Sequence, residues 1–309
     1  MSTSNIINAI RGALHHAMAT DPRVVVLGED VGARGGVFRA TQGLLEEFGE
    51  ERVIDMPLAE NAIIGVAIGM ALDGLRPIAE IEFADFIHPA FDQIVSEAAR
   101  MRYRSGGDAS LPLVIRVPWG GGVHGGLYHS QSIESFYAHV PGLKVVAPST
   151  PADAAGLLHA AIADPDPVLF LEHKATYRLV EGDVEDPPAP VPIGPVRIAR
   201  EGVDLSVFAY GLMLHRCLEA AERLARDAER ILERAGERHG RGVLGGGRRR
   251  AQPLAAGPRR DRRVGPPDRQ GARGPRGQPV LRCRRRDRRH DRGGRALRPR
   301  RTHRASDGS

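Results

Sequence analysis

The chain has 309 residues, enough for two domains of roughly 100–200 residues each. Its net charge of +6 is uneven: residues 1–230 carry 19 basic and 31 acidic side chains, and residues 231–309 carry 25 and 7. Two cysteines, Cys217 and Cys283, exclude a disulfide framework and a cysteine zinc cluster, and no apolar run approaches the roughly 18 residues of a membrane span. The opening Met1-Ser2-Thr3-Ser4-Asn5 has neither the basic-apolar pattern of a signal peptide nor that of an Arg-rich transit peptide, so the expected location is cytoplasmic.

Behind a Ser4 cap, Ile6, Ile7, Ile10, Leu14 and Met18 recur at helical spacing, and Asp21-Pro22 ends that helix. The run Val24 to Leu27 predicts a strand buried on both faces, because four consecutive apolar residues leave no solvated side. A small apolar helix is expected over 62–72, with Gly65 and Gly69 four apart. Strands follow over 76–81, 111–117, 144–147 and 168–171, with helices over 88–104 and 152–163 between them. This alternation predicts a parallel α/β sheet covered on both faces. The Pro-rich stretch over 186–192 is a stiff linker, after which a strand over 205–210 and a helix over 213–225 begin a second α/β domain.

From residue 231 the chain has no Phe, Trp, Tyr or Lys, and Ile, Leu and Val together number 9 in 79 residues. Such a composition cannot offset chain entropy of about 1–2 kcal/mol per residue, so disorder is expected there. Two readings compete. One is an Arg-rich arm that binds nucleic acid by counterion release. The other is out-of-frame translation of GC-rich DNA beginning near residues 226–232, which 25 Arg against no Lys favours.

Four segments offer chemistry. Glu60 opens an otherwise apolar helix, where a carboxylate is also a common terminal residue. Phe86 follows a strand end, where it could stack on a flat ligand or simply pack in the core. The Gly-rich loop over 120–126 has no phosphate-binding pattern of its own, but it leads to His129 at a loop-to-helix junction, a plausible acid–base position. Asp164 and Asp166 sit on a turn that they could cap or at which they could hold a cation.

Taken in order, the runs PLAEN, EIEFADFIHPAFDQIVSEAARMRYRSGG, PWGGGVHGGLYHSQSIESFYAHVPGLKVV and DPDPVLFLEHKATYR resemble the β subunits of thiamine-diphosphate-dependent 2-oxo acid dehydrogenases. The resemblance covers about residues 5–228 and is nearest the branched-chain, 2-oxoisovalerate branch; the pyruvate and acetoin enzymes share the framework. It implies an α/β fold: a parallel-sheet pyrimidine-binding domain over 1–180, a linker over 181–195, and over 196–230 the start of an incomplete second domain of the transketolase C-terminal kind.

By the same resemblance, Glu60 is the glutamate that hydrogen-bonds the cofactor's aminopyrimidine and promotes removal of the thiazolium C2 proton. Phe86 is the aromatic against that ring. His129 is the active-site histidine of proton transfer and of the lipoyl acceptor. Leu111, Leu113, Val114, Ala161, Asp164 and Asp166 fall on a potassium site built mostly from backbone carbonyls, with Val114 in place of a hydroxyl and Asp166 in place of an amide. No Gly-Asp-Gly…Asn-Asn motif for Mg²⁺ and diphosphate occurs in the sequence. The family carries that motif on a separate α subunit, which implies an α2β2 heterotetramer, a lipoyl acyltransferase core as partner, a small 2-oxo acid as substrate, and an inactive lone β chain. The family's next strand, similar to Val-Asp-Leu-Arg-Thr, does not follow the second-domain helix here.

Overall fold

The computed structural model describes residues 2–203 and 205–240. Strand β1 (Ser2–Asn5) leads into helix α1 (Ile6–Thr20), whose N-cap is Asn5 rather than Ser4: its side chain accepts the Asn8 N–H at 2.9 Å. Then come β2 (Val24–Gly28), α2 (Leu44–Phe48), β3 (Val53–Asp55), α3 (Glu60–Leu72) and β4 (Arg76–Glu80). The single helix expected over 88–104 is instead a 3-10 turn (Ala84–Ala90), a π turn (Gln93–Ala98) and the short α4 (Met101–Arg104). Pro89 lies inside the first of these; it has no N–H to donate, and its ring crowds the preceding turn.

The chain continues through β5 (Val114–Trp119), a 3-10 turn (Leu127–His129), α5 (Glu134–Tyr137), β6 (Lys144–Val146), α6 (Pro151–Ala163), β7 (Val168–His173), β8 (Glu181–Val184) and α7 (Leu212–Gly240). Six strands form one parallel sheet in the order β3-β2-β4-β5-β7-β6, while β1 and β8 pair antiparallel in a second, two-stranded sheet. Side chains alternate between faces, as the period of two requires. Val24, Val26, Ile78, Val114, Val168 and Phe170 pack with α1 and α6, whereas Leu27, Ala79, Ile115, Leu169 and Leu171 pack with α3. Each large apolar side chain buried this way contributes about 1.5–3 kcal/mol.

One polar group breaks the apolar sheet. Arg116 on β5 has no exposed surface and meets Glu80 on β4 at 2.5 Å. It also makes a bidentate pair with Glu172 on β7, at 2.7 and 2.9 Å, and the Tyr177 hydroxyl donates to the same carboxylate at 2.6 Å. Burial works against the guanidinium's charge, but Glu172 and Glu80 more than offset it and hold the proton above the ordinary arginine range.

The segment over 205–210 is not the expected strand. Phe208 is 81% exposed, and no strand lies beside this segment among the described residues to take its backbone N–H and C=O groups. Helix α7, in contrast, runs on to Gly240, well beyond the expected end at 225 and into the stretch where disorder was expected. Ion pairs Arg216–Glu219, Arg226–Glu222 and Arg230–Asp227, at three- and four-residue spacing, support it along its surface. The remainder of the expected disordered segment, 241–309, lies outside the described residues.

Arg116→Ala strands two buried carboxylates, so it should lower folding stability by about 3–5 kcal/mol. Removing the exposed Arg34 side chain should change stability by no more than about 0.5 kcal/mol. Urea unfolding of the two variants measures the difference; equal midpoints would show that the buried network contributes little.

Candidate active site

In a parallel α/β sheet, ligands bind beyond the C-terminal ends of the strands, where loops and helix N-termini converge. Glu29 directly follows β2, Glu82 lies just beyond β4, and Glu60 opens α3 after β3. These strands are neighbours, and Gly28 is level with both Asp55 and Glu80, which brings the three carboxylates to one end of the sheet. Burial, then Glu29, Asp30, Glu80 and Glu60, push the Glu82 carboxyl up to about 7; burial, then Asp30 and Glu60, raise Glu29. The backbone beneath is tight. A Cβ on Gly28 would lie 2.6 Å from the Glu80 carbonyl oxygen, so only glycine fits there.

Next to the carboxylates stands an aromatic wall. Phe83 and Phe86 meet edge-on at 5.8 Å between centroids, and the His129 ring packs edge-on against them at 4.5 and 5.4 Å respectively. Thus the structure brings Phe86 and His129 together, although 43 residues separate them. His129 Nδ1 lies 3.0 Å from the Gly125 carbonyl oxygen. A carbonyl can only accept, so Nδ1 carries the hydrogen and Nε2 is the nitrogen left to take up a proton. Gly125 permits this approach, since a Cβ there would stand 2.5 Å from that of His129. The loop is pinned further along, where the Gln131 N–H donates to Asp85 Oδ2 at 3.3 Å and its carbonyl accepts the Gly120 N–H at 2.9 Å.

The six residues expected at a potassium site also converge, at the opposite end of the sheet, where β5 and β7 begin. The Leu111 N–H donates to the Pro165 carbonyl, next to Asp164 and Asp166. The carbonyls of Leu111, Leu113 and Ala161 accept backbone N–H groups from Leu113, Val168 and Asp164. Lys144 Nζ lies 2.6 Å from Asp164 and 3.7 Å from Asp166, and Arg102 pairs with Asp166. Each carbonyl oxygen keeps a second lone pair, so a hard monovalent cation is compatible with this donor set. No cluster of three or more His, Cys, Asp or Glu suited to a metal occurs among the described residues.

Residue-by-residue reading of the sequence missed Glu29, Glu82 and Phe83. The signal was present: each stands immediately or shortly after an apolar strand, which in this architecture is the position of site residues.

The fold and the strand-end site define a transketolase-type pyrimidine-binding unit, and residues 2–180 match the family model described as the transketolase pyrimidine-binding domain. The chain is 60% identical over 227 residues to the 2-oxoisovalerate dehydrogenase subunit beta of Bacillus subtilis, covering 74% of this chain and 69% of that one. To the pyruvate dehydrogenase E1 component subunit beta of the same organism it is 49% identical, covering 74% and 70%. A solved structure titled split gene transketolase, inactive beta4 tetramer, shares the fold with a TM-score of 0.58 at 24% identity, covering 72% of this chain and 68% of that one. The chain belongs to the β-subunit family of thiamine-diphosphate-dependent 2-oxo acid dehydrogenases.

Glu82 gives a prediction with a definite sign. Its carboxyl is raised in the folded state, so its contribution to stability is full below its ordinary value of 4.5 and is lost as pH rises toward 7. Glu82→Gln should therefore melt higher than the unmodified chain at pH 8 and close to it at pH 5. A melting-temperature difference that does not grow with pH would remove the carboxylate crowding from the account.

Proposed function

We propose that this chain is the β subunit of a branched-chain 2-oxo acid dehydrogenase. With an α subunit, in an α2β2 assembly, it decarboxylates a 2-oxo acid and passes the acyl group to lipoyl-lysine of an acyltransferase core. The observation that carries the reading is the gathering at one end of the sheet of the Glu60 helix start, whose charge acts on Glu29 and Glu82, and of the mutually packed Phe83, Phe86 and His129 rings. A pyruvate-type substrate is the second reading, favoured by the pyruvate dehydrogenase relatives.

An aminopyrimidine fits this donor set, because it is flat and presents a ring nitrogen to a carboxyl. Glu60 would hold that nitrogen and Phe86 would lie against the ring. Thiamine diphosphate, when bound, supplies the electron sink for loss of CO2. The chain's own part is to orient the ring and to hold protons in place. The Glu60 carboxyl would share a proton with the ring nitrogen, beside the crowded Glu29 and Glu82 carboxyls, which hold their protons above the ordinary carboxylate range. His129, fixed through Nδ1, moves a proton at Nε2. The Mg²⁺ and diphosphate ligands belong to the α subunit in this reading, so the chain alone is inactive. A potassium ion held mostly by backbone carbonyls at Leu111, Leu113, Val114, Ala161, Asp164 and Asp166 would brace the starts of β5 and β7. The tail over 231–309 is read as out-of-frame, supported by its 25 Arg without a Lys, and the nucleotide sequence around codon 228 tests this against the nucleic-acid arm.

In a complex reassembled with a cognate α subunit, Glu60→Gln should keep the fold by circular dichroism and lose about two to four orders of magnitude in turnover. His129→Ala should leave α–β assembly intact on gel filtration and slow turnover with lipoyl-lysine as acceptor. Near-normal turnover in both variants would overturn the assignment of the site.

A further inference from the structure

We propose that Lys174 is a positioning residue for His129, acting through Asp85 and the Phe83 ring. This rests on the reading of His129 as the acid–base group. Lys174 follows β7 directly and is only 3% exposed. Its Nζ has no hydrogen-bond partner among the described residues, nor has Asp85 Oδ1, also buried. Taking an ammonium out of water is costly unless something compensates it.

Two groups do so here. The Nζ lies 5.5 Å from the centroid of the Phe83 ring, the geometry of a cation–π contact, and the Asp85 carboxylate attracts it through the low-dielectric interior. Both of these groups also hold His129. Phe83 packs edge-on against the imidazole at 4.5 Å, and Asp85 accepts the N–H of Gln131, two residues beyond it. The charge on Lys174 therefore reaches the histidine along two routes, one through a ring face and one through the loop backbone. A methionine would fill the same space without either effect.

Burial lowers the Lys174 ammonium to about 8, and Asp85 opposes that shift. The titratable groups around it are Asp85 from the 3-10 turn, His173 before it in the chain, and His129 across the Phe83 ring. The charge that orders the His129 loop should thus be present at neutral pH and lost just above it.

The test uses NMR of the full chain with ¹⁵N-labelled backbone and ¹³C-labelled histidine rings, assigned through His129→Asn and Gln131→Glu. The Gln131 amide and the His129 ring should both show an inflection near pH 8 that disappears in Lys174→Met. Lys174→Arg should keep the neutral-pH shifts of the unmodified chain and lose the inflection. Should Lys174→Met fail to fold, Asp85→Asn decides: removing the opposing charge should move the inflection to lower pH. Identical pH profiles for the two resonances across these variants would overturn the proposal. The measurement reads geometry without turnover, so it can fail while the catalytic reading of His129 stands, and the reverse.

Discussion

Everything at the strand ends depends on the buried guanidinium of Arg116. Three adjacent strands contribute one charged group each, Glu80, Arg116 and Glu172, on the face that α1 and α6 cover. Once folded, these groups admit one register only, because a slip of one residue would turn them to the opposite face and leave charges unpaired. That register fixes where β4 and β7 end. The residues just past those ends, Glu82, Phe83 and Asp85 after β4 and Lys174 after β7, are therefore placed by this network, whose Glu80 also helps raise the Glu82 carboxyl. The same network receives the loop after β2, since Gly36 comes close enough to the Glu80 carboxylate that a Cβ would be 3.0 Å away.

The resulting site is polarised. Carboxylates crowd one side, and a histidine backed by two phenylalanines stands on the other. Like charges gathered at one strand end raise each other's proton affinity, which favours a ligand that brings a protonatable ring nitrogen and disfavours an anion. This asymmetry suits the pyrimidine end of a thiamine-type cofactor.

Much of the sheet was legible in the sequence because both of its faces are buried. Val24 to Leu27 and Val168 to Leu171 are apolar without interruption, and only a strand covered on both sides tolerates that. The roles proposed for Glu60, Phe86 and His129 come from family motifs; locally, a helix start, a strand end and a loop-to-helix junction marked these positions without deciding a role. Lys174 was not legible at all: in a His-Lys-Ala-Thr stretch it reads as a surface lysine, and only the packing of Phe83 and Asp85 over it makes it an interior one. The reading failed for 205–210 for the opposite reason. Its alternating apolar residues satisfy the period of a strand, but a strand also needs a neighbour. Helix α7 needed no such neighbour, because its hydrogen bonds are internal, and it extended past the predicted end.

The central claim is that Glu60, Phe86 and His129 form one surface for the cofactor's pyrimidine end. Hydrogen–deuterium exchange of this chain, mixed with a cognate α subunit and followed before and after addition of thiamine diphosphate and Mg²⁺, tests it directly. The account predicts that peptides spanning 58–64, 82–88 and 127–131 gain protection together and over one concentration range. Protection confined to the α subunit, or gained by one of the three segments without the others, would contradict it.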